Sequence, residues 1–177
     1  MVVDVGGGGG ALLTCLLRKY PEMRGVLFEV PSVIERVSLA EEVAERIECV
    51  SGDALWSIPN GGAVYVLCSV LRCCDDERSV QLLAACRRAM HAEVRLLAMR
   101  DVVGIGSPDP LQGLNDLQAF TLYGSADRDP EAWMRPLAEA GLTLERIQPA
   151  DPGYSWVVAR VAYGSESTQT CTSEASV

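Results

Sequence analysis

The chain has 177 residues, 49% hydrophobic and 22% charged, enough for one domain with a full core. A formal net charge of -9 argues against a nucleic-acid partner, and no apolar run approaches the roughly 18–20 residues that span a bilayer. The N-terminus, MVVDVGGGGG, lacks the basic and apolar regions of a secretion signal, so the expected location is the cytoplasm. The cysteines, Cys15, Cys49, Cys68, Cys73, Cys74, Cys86 and Cys171, are odd in number and follow no framework spacing, so reduced thiols are expected. His91 is the one histidine, and Cys73 and Cys74 are adjacent, so no tetrahedral metal site is expected.

Strand and helix patterns alternate along the chain. Residues 2–5 (VVDV) read as a strand, five glycines follow, and 11–20 has helical character. Residues 25–30 (GVLFEV) read as a second strand and 32–46 as a second helix. A third strand, 47–50, ends at SGD, and a fourth, 63–68 (AVYVLC), follows the turn-rich PNGG. Asp75 or Asp76 caps a helix predicted to reach about 90, and 94–99 is a fifth strand. A loop with Gly104, Gly106, Pro108 and Pro110 leads to a helix near 114–122. Asp129-Pro130 opens another, which Gly141 ends. Strands at 143–147 and 156–161 close the pattern.

Repeated strand–helix–strand order implies an α/β fold with a mainly parallel sheet and helices on both faces. The last two strands have no helix between them, so they are expected to pair antiparallel at the sheet edge. The domain is expected to span 1–163. The polar, Ser/Thr-rich residues 164–177 read as a disordered tail.

Glycines between a first strand and a first helix let backbone amides approach a ligand. Two patterns fit. Gly6-x-Gly8-x-x-Ala11 satisfies a dinucleotide fingerprint. Asp4-x-Gly6-x-Gly8-x-Gly10 satisfies the acid-plus-glycines pattern of proteins that bind S-adenosylmethionine (SAM). Asp4 favours the second, because a carboxylate suits the cationic amino end of SAM and repels a pyrophosphate. No Gly-Lys-Ser/Thr is present, so a P-loop is excluded. Glu29 ends the second strand, where an acid binds ribose hydroxyls. Asp53 follows the third strand and suits an adenine amino group, with Ala54 and Leu55 beside the ring. Each acid alone is an ordinary turn residue. Three of them ending three successive strands make a row along the carboxyl edge, where open α/β sheets bind ligands.

The strings VVDVGGGGGALL, GVLFEVPSVIE, GDALWSIP, VYVLCSVLRCCDDERSVQLLAACRRAM, RLLAMRDVV and YGSADRDPEAWMRPLAEAGL together resemble the O-methyltransferases of the caffeic-acid and hydroxyindole type. The resemblance covers about residues 2–162. It implies a seven-stranded Rossmann-like sheet with an antiparallel final strand, SAM as cofactor, and methyl transfer to the oxygen of a small aromatic metabolite. By the same resemblance Asp4, Gly6, Gly8 and Gly10 lie at the cofactor, Glu29 holds the ribose, and Asp53 with Ala54 flanks the adenine. Cys68 falls where a lysine is frequent near the cofactor.

Arg72 falls where the family keeps its histidine base, and Cys73-Cys74 replace the Asp-Trp that follows it. Arg100 and Asp127 stand where glutamates support that base. Arginine stays protonated and cannot take a phenol proton. Arg72 is left to stabilise a phenolate or carboxylate by charge, to pair with Asp127, or to have no chemical role. A thiolate at Cys73 or Cys74 is a further alternative base. His91, in the MHAEV turn, reads as a surface residue.

Family members also carry a long helical N-terminal region that dimerises and closes over the substrate, whereas Met1 opens on the first strand. The resemblance therefore implies an acceptor pocket open on one side. It leaves an apolar face for a homodimer or a partner chain. Two other readings remain: a catalytically degenerate SAM-binding module, and an NAD-binding protein, which Asp4 and the antiparallel ending disfavour.

Overall fold

The structure, a computed structural model, describes residues 1–100, 112–125, 128–150 and 154–162. The strands are β1 (Val2–Val5), β2 (Gly25–Glu29), β3 (Ile47–Ser51), β4 (Val64–Cys68), β5 (Arg95–Arg100), β6 (Leu142–Pro149) and β7 (Ser155–Val161). The helices are α1 (Ala11–Lys19), α2 (Pro31–Ile34), α3 (Glu41–Ala44), α4 (Asp76–Ala89), α5 (Gln112–Tyr123) and α6 (Pro130–Glu139). A 3-10 turn, Leu71–Cys73, lies between β4 and α4.

The strands form one sheet in the order β3-β2-β1-β4-β5-β7-β6. The first five strands run parallel, and β7 lies antiparallel between β5 and β6. The expected α/β class and the antiparallel final strand are both present. Strand order reverses between β1 and β4, so the chain leaves these neighbours in opposite directions. Such a switch point opens a crevice at the strands' carboxyl ends. Gly6 follows β1 there and Ser69 follows β4, and the loop after each strand meets the other across it.

Alternation along β1 sorts the core into two layers. Val3 and Val5 face one side, with Phe28, Tyr65, Leu67, Leu82, Leu83, Trp133 and Leu137. Val2 faces the other, with Leu13, Leu17, Leu27, Val43 and Val66. Helices α4 and α6 thus cover one face of the sheet, and α1 with α3 the other. β1 is buried at every position, as a strand inside a parallel sheet requires.

The helix expected over 32–46 is two short helices instead. Pro31 starts α2 at its first position, and the chain extends before Ala40 (ψ 134) caps α3. The break lets Leu39 reach the glycine loop, where its Cδ2 stands 3.0 Å from the position a Cβ on Gly10 would take. Burial of Leu39 replaces continuous helical bonding. Strand β4 begins at Val64 rather than 63, and α5 is longer than expected at both ends. The predicted tail over 164–177 lies outside the described residues.

Arg46, just before β3, collects the carbonyls at the end of α1. Its Nη1 donates to Leu17 O and Pro21 O at 3.0 Å and to Met23 O at 3.3 Å. A cation suits this helix end, whose last carbonyls lack intrahelical partners. Arg46→Met keeps the aliphatic stem and removes the donors. It should cost about 1–3 kcal/mol and lower Tm by roughly 3–8 °C, read from thermal melts.

Candidate cofactor and acceptor site

Asp4 stands in the middle of β1, in register with Leu27 and Val66 on its two neighbours. It is 0% exposed, and among the described residues neither of its carboxylate oxygens has a hydrogen-bond partner. Burial pushes its pKa up from 3.8 to about 6, and the charge of Glu29 adds to the shift. A buried carboxylate without a donor is costly and stands out in any native structure.

The glycine loop is shaped around this carboxylate. A Cβ on Gly7 would sit 2.4 Å from Asp4 Oδ2 and 2.6 Å from Leu27 Cδ1, so only glycine fits. Gly6, Gly8 and Gly10 have φ of 69°, 56° and 78°, the left-handed region that glycine enters at no steric cost. Gly10 caps α1 without a side-chain bond, and the first turn of α1 carries no acid. The N-cap residue therefore offers the amides opening α1 no side-chain bond. Around Gly8 and Gly9 there is open space, since a Cβ on either would meet nothing within 4 Å.

The other acids lie along the same edge. Glu29, half-buried at the end of β2, accepts the Val30 amide on Oε2 at 2.7 Å. Asp53 is exposed, and its Oδ1 accepts the Leu55 amide at 2.9 Å, which closes a turn with Ala54 at its centre. Gly52 N bonds Glu29 O at 2.9 Å, tying the Asp53 loop to the end of β2. The strands that carry the three acids are adjacent in the order β3-β2-β1, but only Glu29 is a strand's last residue: Asp53 lies two residues past β3, and Asp4 lies inside β1, one residue short of its end.

Across the switch point, Cys68 ends β4 half-buried. Burial, and next the Asp4 charge, push its thiol up, so it stays protonated. Ser69 follows at φ 61°, a left-handed conformation that costs a non-glycine residue about 1–2 kcal/mol. Val70 then lies against Gly6, its Cγ2 2.7 Å from where a Cβ on Gly6 would be. The 3-10 turn carries half-buried Arg72, exposed Cys73, and Leu71, which is buried in the core. Cys74 is buried, and its thiol donates to Val70 O at 3.7 Å, which does not suit a base facing an acceptor. Asp127 and the Arg100 side chain lie outside the described residues, and His91 is exposed as expected.

Sequence reasoning missed four contributors. Gly7 was one of five consecutive glycines, and only its distance to Asp4 singles it out. Val70 and Leu39 looked like ordinary apolar residues. Ser125, buried, donates its hydroxyl to Arg72 O at 2.5 Å, a contact 53 residues apart in sequence. Helix α5 packs against the 3-10 turn and leaves Leu114, Leu117, Phe120 and Leu122 exposed.

A groove of about 630 Å³ lies elsewhere, between α4 and α6. It shares no residue with the glycine loop or the row of acids. A hollow of about 340 Å³ borders Gly9, between the glycine loop and α2.

An O-methyltransferase domain family model matches residues 1–143. The chain belongs to that family. It is 38% identical over 162 residues to the phenazine O-methyltransferase of Lysobacter antibioticus, covering 90% of this chain and 48% of that protein. It is 32% identical over 148 residues to the phenazine-1-carboxylate N-methyltransferase of Pseudomonas aeruginosa, covering 82% and 44%. Among solved structures it resembles a methyltransferase of calicheamicin biosynthesis in SAH-bound form. There the TM-score is 0.83 and identity 34%, over 91% of this chain and 48% of that one. The chain spans about half the length of the curated relatives it matches. Family membership fixes the fold as the Rossmann-like methyltransferase type and accounts for the antiparallel strand β7.

Burying Asp4 works against the folded state whenever it is ionised. Its folded pKa is raised, so the unliganded protein gains stability as pH falls from about 6 toward 3.8, where the unfolded chain also takes up the proton. Asp4→Asn should therefore melt higher than wild type at pH 7, by up to about 3 kcal/mol. The gap should close on acidification to pH 4, which thermal melts across that range will read. Gly7→Ala should lower Tm at every pH.

Proposed function

We propose that this chain is the cofactor-binding and methyl-transferring domain of a SAM-dependent O-methyltransferase whose acceptor is a small aromatic metabolite. The observation that carries the reading is Asp4, a buried carboxylate with no donor among the described residues, under a loop in which Gly7 has no room for a side chain. The residues present fit SAM. Asp4 offers a counter-charge to its amino group, Glu29 an acceptor for ribose hydroxyls, and Asp53 with Ala54 an edge for adenine. The amides that open α1 face the same space. When bound, SAM supplies an electrophilic methyl group on a sulfonium, which needs an aligned nucleophile and no redox partner.

The chain's own residues then set position and charge. The glycine loop and Val70 hold the cofactor edge and the acceptor edge in contact, so that positioning supplies much of the acceleration. Arg72 cannot act as a base, but its guanidinium favours an acceptor that arrives as an anion, a phenolate or an aromatic carboxylate. Because Cys68 stays protonated, it does not compete as a nucleophile for the methyl group. We place the protein in the cytoplasm; no helix of the described residues is long and apolar enough to cross a membrane. A second copy, or a partner chain, is proposed to cover the exposed apolar residues of α5.

A second reading, a SAM-binding module without turnover, draws on one observation: Arg72 stands where the family keeps its base. Calorimetry and turnover separate the two. SAM should bind at pH 7.5, and Asp4→Asn should weaken it at least tenfold. Wild-type affinity should fall about tenfold between pH 7.5 and 5, because Asp4 must be ionised to meet the cation. No SAM binding at either pH would overturn both readings. With a panel of acidic phenols, Arg72→Ala should cut kcat at least tenfold. Turnover that appears only in Arg72→His would favour the lapsed module.

A further inference from the structure

A three-residue 3-10 turn has little hydrogen bonding of its own to hold it. Leu71 anchors the Arg72 turn in the core, and Cys74 is buried just after it. Two side chains three residues apart add holds from elsewhere in the chain, one on this turn and one on the start of α4. Ser125, 2% exposed, donates to the Arg72 carbonyl. Three residues on, Arg128, 7% exposed, pairs with Asp76 in the first turn of α4 and approaches Ser79 Oγ at 3.4 Å. The face of its guanidinium lies 5.6 Å from the centroid of the Trp133 ring on α6.

Stability alone is a poor reason for this burial. Its carboxylate partner, Asp76, has a side chain that is 87% exposed, and Arg128 Nη1 has no hydrogen-bond partner among the described residues. Removing a guanidinium from water on such terms costs about as much as it returns. What the arrangement does provide is geometry. A planar fork reaches Asp76 and Ser79 together while its face rests on Trp133, and a lysine ammonium cannot do both. Asp75 caps the same helix end by accepting the Arg78 amide at 2.8 Å, so the clamp closes on a rigid partner.

We propose that Ser125 and Arg128 are positioning residues, a two-point clamp that fixes the Arg72 turn against the first turn of α4. That this turn is the acceptor end rests on the function proposed above, whereas the clamp does not. The clamp accounts for a buried serine and a buried arginine three residues apart, one bonded to the turn after β4 and the other to the first turn of α4.

Hydrogen exchange read by mass spectrometry on residues 69–75 tests it in wild type, Ser125→Ala, Asp76→Asn and Arg128→Lys. Exchange in that peptide should rise at least tenfold in each variant, with β1 and β4 keeping wild-type protection. SAM affinity should stay within about twofold. On any acceptor that wild type turns over, kcat should fall while KM for SAM holds. If Arg128→Lys fails to fold, the two milder variants carry the test. Unchanged exchange at 69–75 in both Ser125→Ala and Asp76→Asn overturns the clamp. So does a rise spread evenly over β1 and β4, which would mean a general loss of stability. Absence of turnover by wild type counts against the proposed function instead, and the exchange result still decides the clamp.

Discussion

A carboxylate sits in the centre of an otherwise apolar strand, and the surrounding loop is arranged about it. Asp4 is sealed by Leu27 and Val66 on its flanking strands and by the backbone of Gly7 above. A side chain at position 7 would occupy the space of its oxygen. The left-handed glycines at 6, 8 and 10 let the chain turn over the carboxylate and still start α1 in the same few residues. Leu39 packs on Gly10, and the break between α2 and α3 follows from that contact. Burying Asp4 without a donor among the described residues costs stability whenever it is ionised, which is what lends this position to a cationic partner in the function proposed above.

The switch point between β1 and β4 divides the edge into two halves with different physics. On the side of β1, β2 and β3 the groups are acids, held by short-range backbone bonds: Glu29 by the Val30 amide, Asp53 by that of Leu55. Their geometry is local and would survive much change elsewhere. On the side of β4 the 3-10 turn depends on distant chain. Val70 leans on Gly6, Ser125 holds the Arg72 carbonyl, and α5 packs alongside with large apolar side chains facing outward. The half on the side of β1, β2 and β3 is held locally, while the half on the side of β4 gathers its supports from residues far apart in sequence.

The fold was legible because its signals are periodic. Alternating strand and helix patterns and glycines at one junction are carried by neighbouring residues. The missing helix between the last two strands is read the same way. The misreading over 32–46 has the opposite cause: local helical character there yielded to a tertiary contact, the reach of Leu39 to Gly10. The acids were legible as neighbours because each lies in or just after the carboxyl half of a strand, and parallel strands place those halves together. Their individual states were not. Asp53 proved exposed and Asp4 fully buried, although both read as acids beside glycines.

The sequence by itself determined the α/β class, the antiparallel last strand and the residues that line the carboxyl edge, since these depend on neighbours along the chain. It also determined that the side chain at position 72 cannot accept a proton, because that is a property of arginine wherever it stands. Only the tertiary structure decided that Asp4 has no donor among the described residues, that Gly7 rather than another of five glycines lies against it, and that Ser125 bonds the Arg72 carbonyl while Arg128 pairs with Asp76. Burial and hydrogen bonding between residues some 50 positions apart are set by how the elements pack, and no local pattern encodes them.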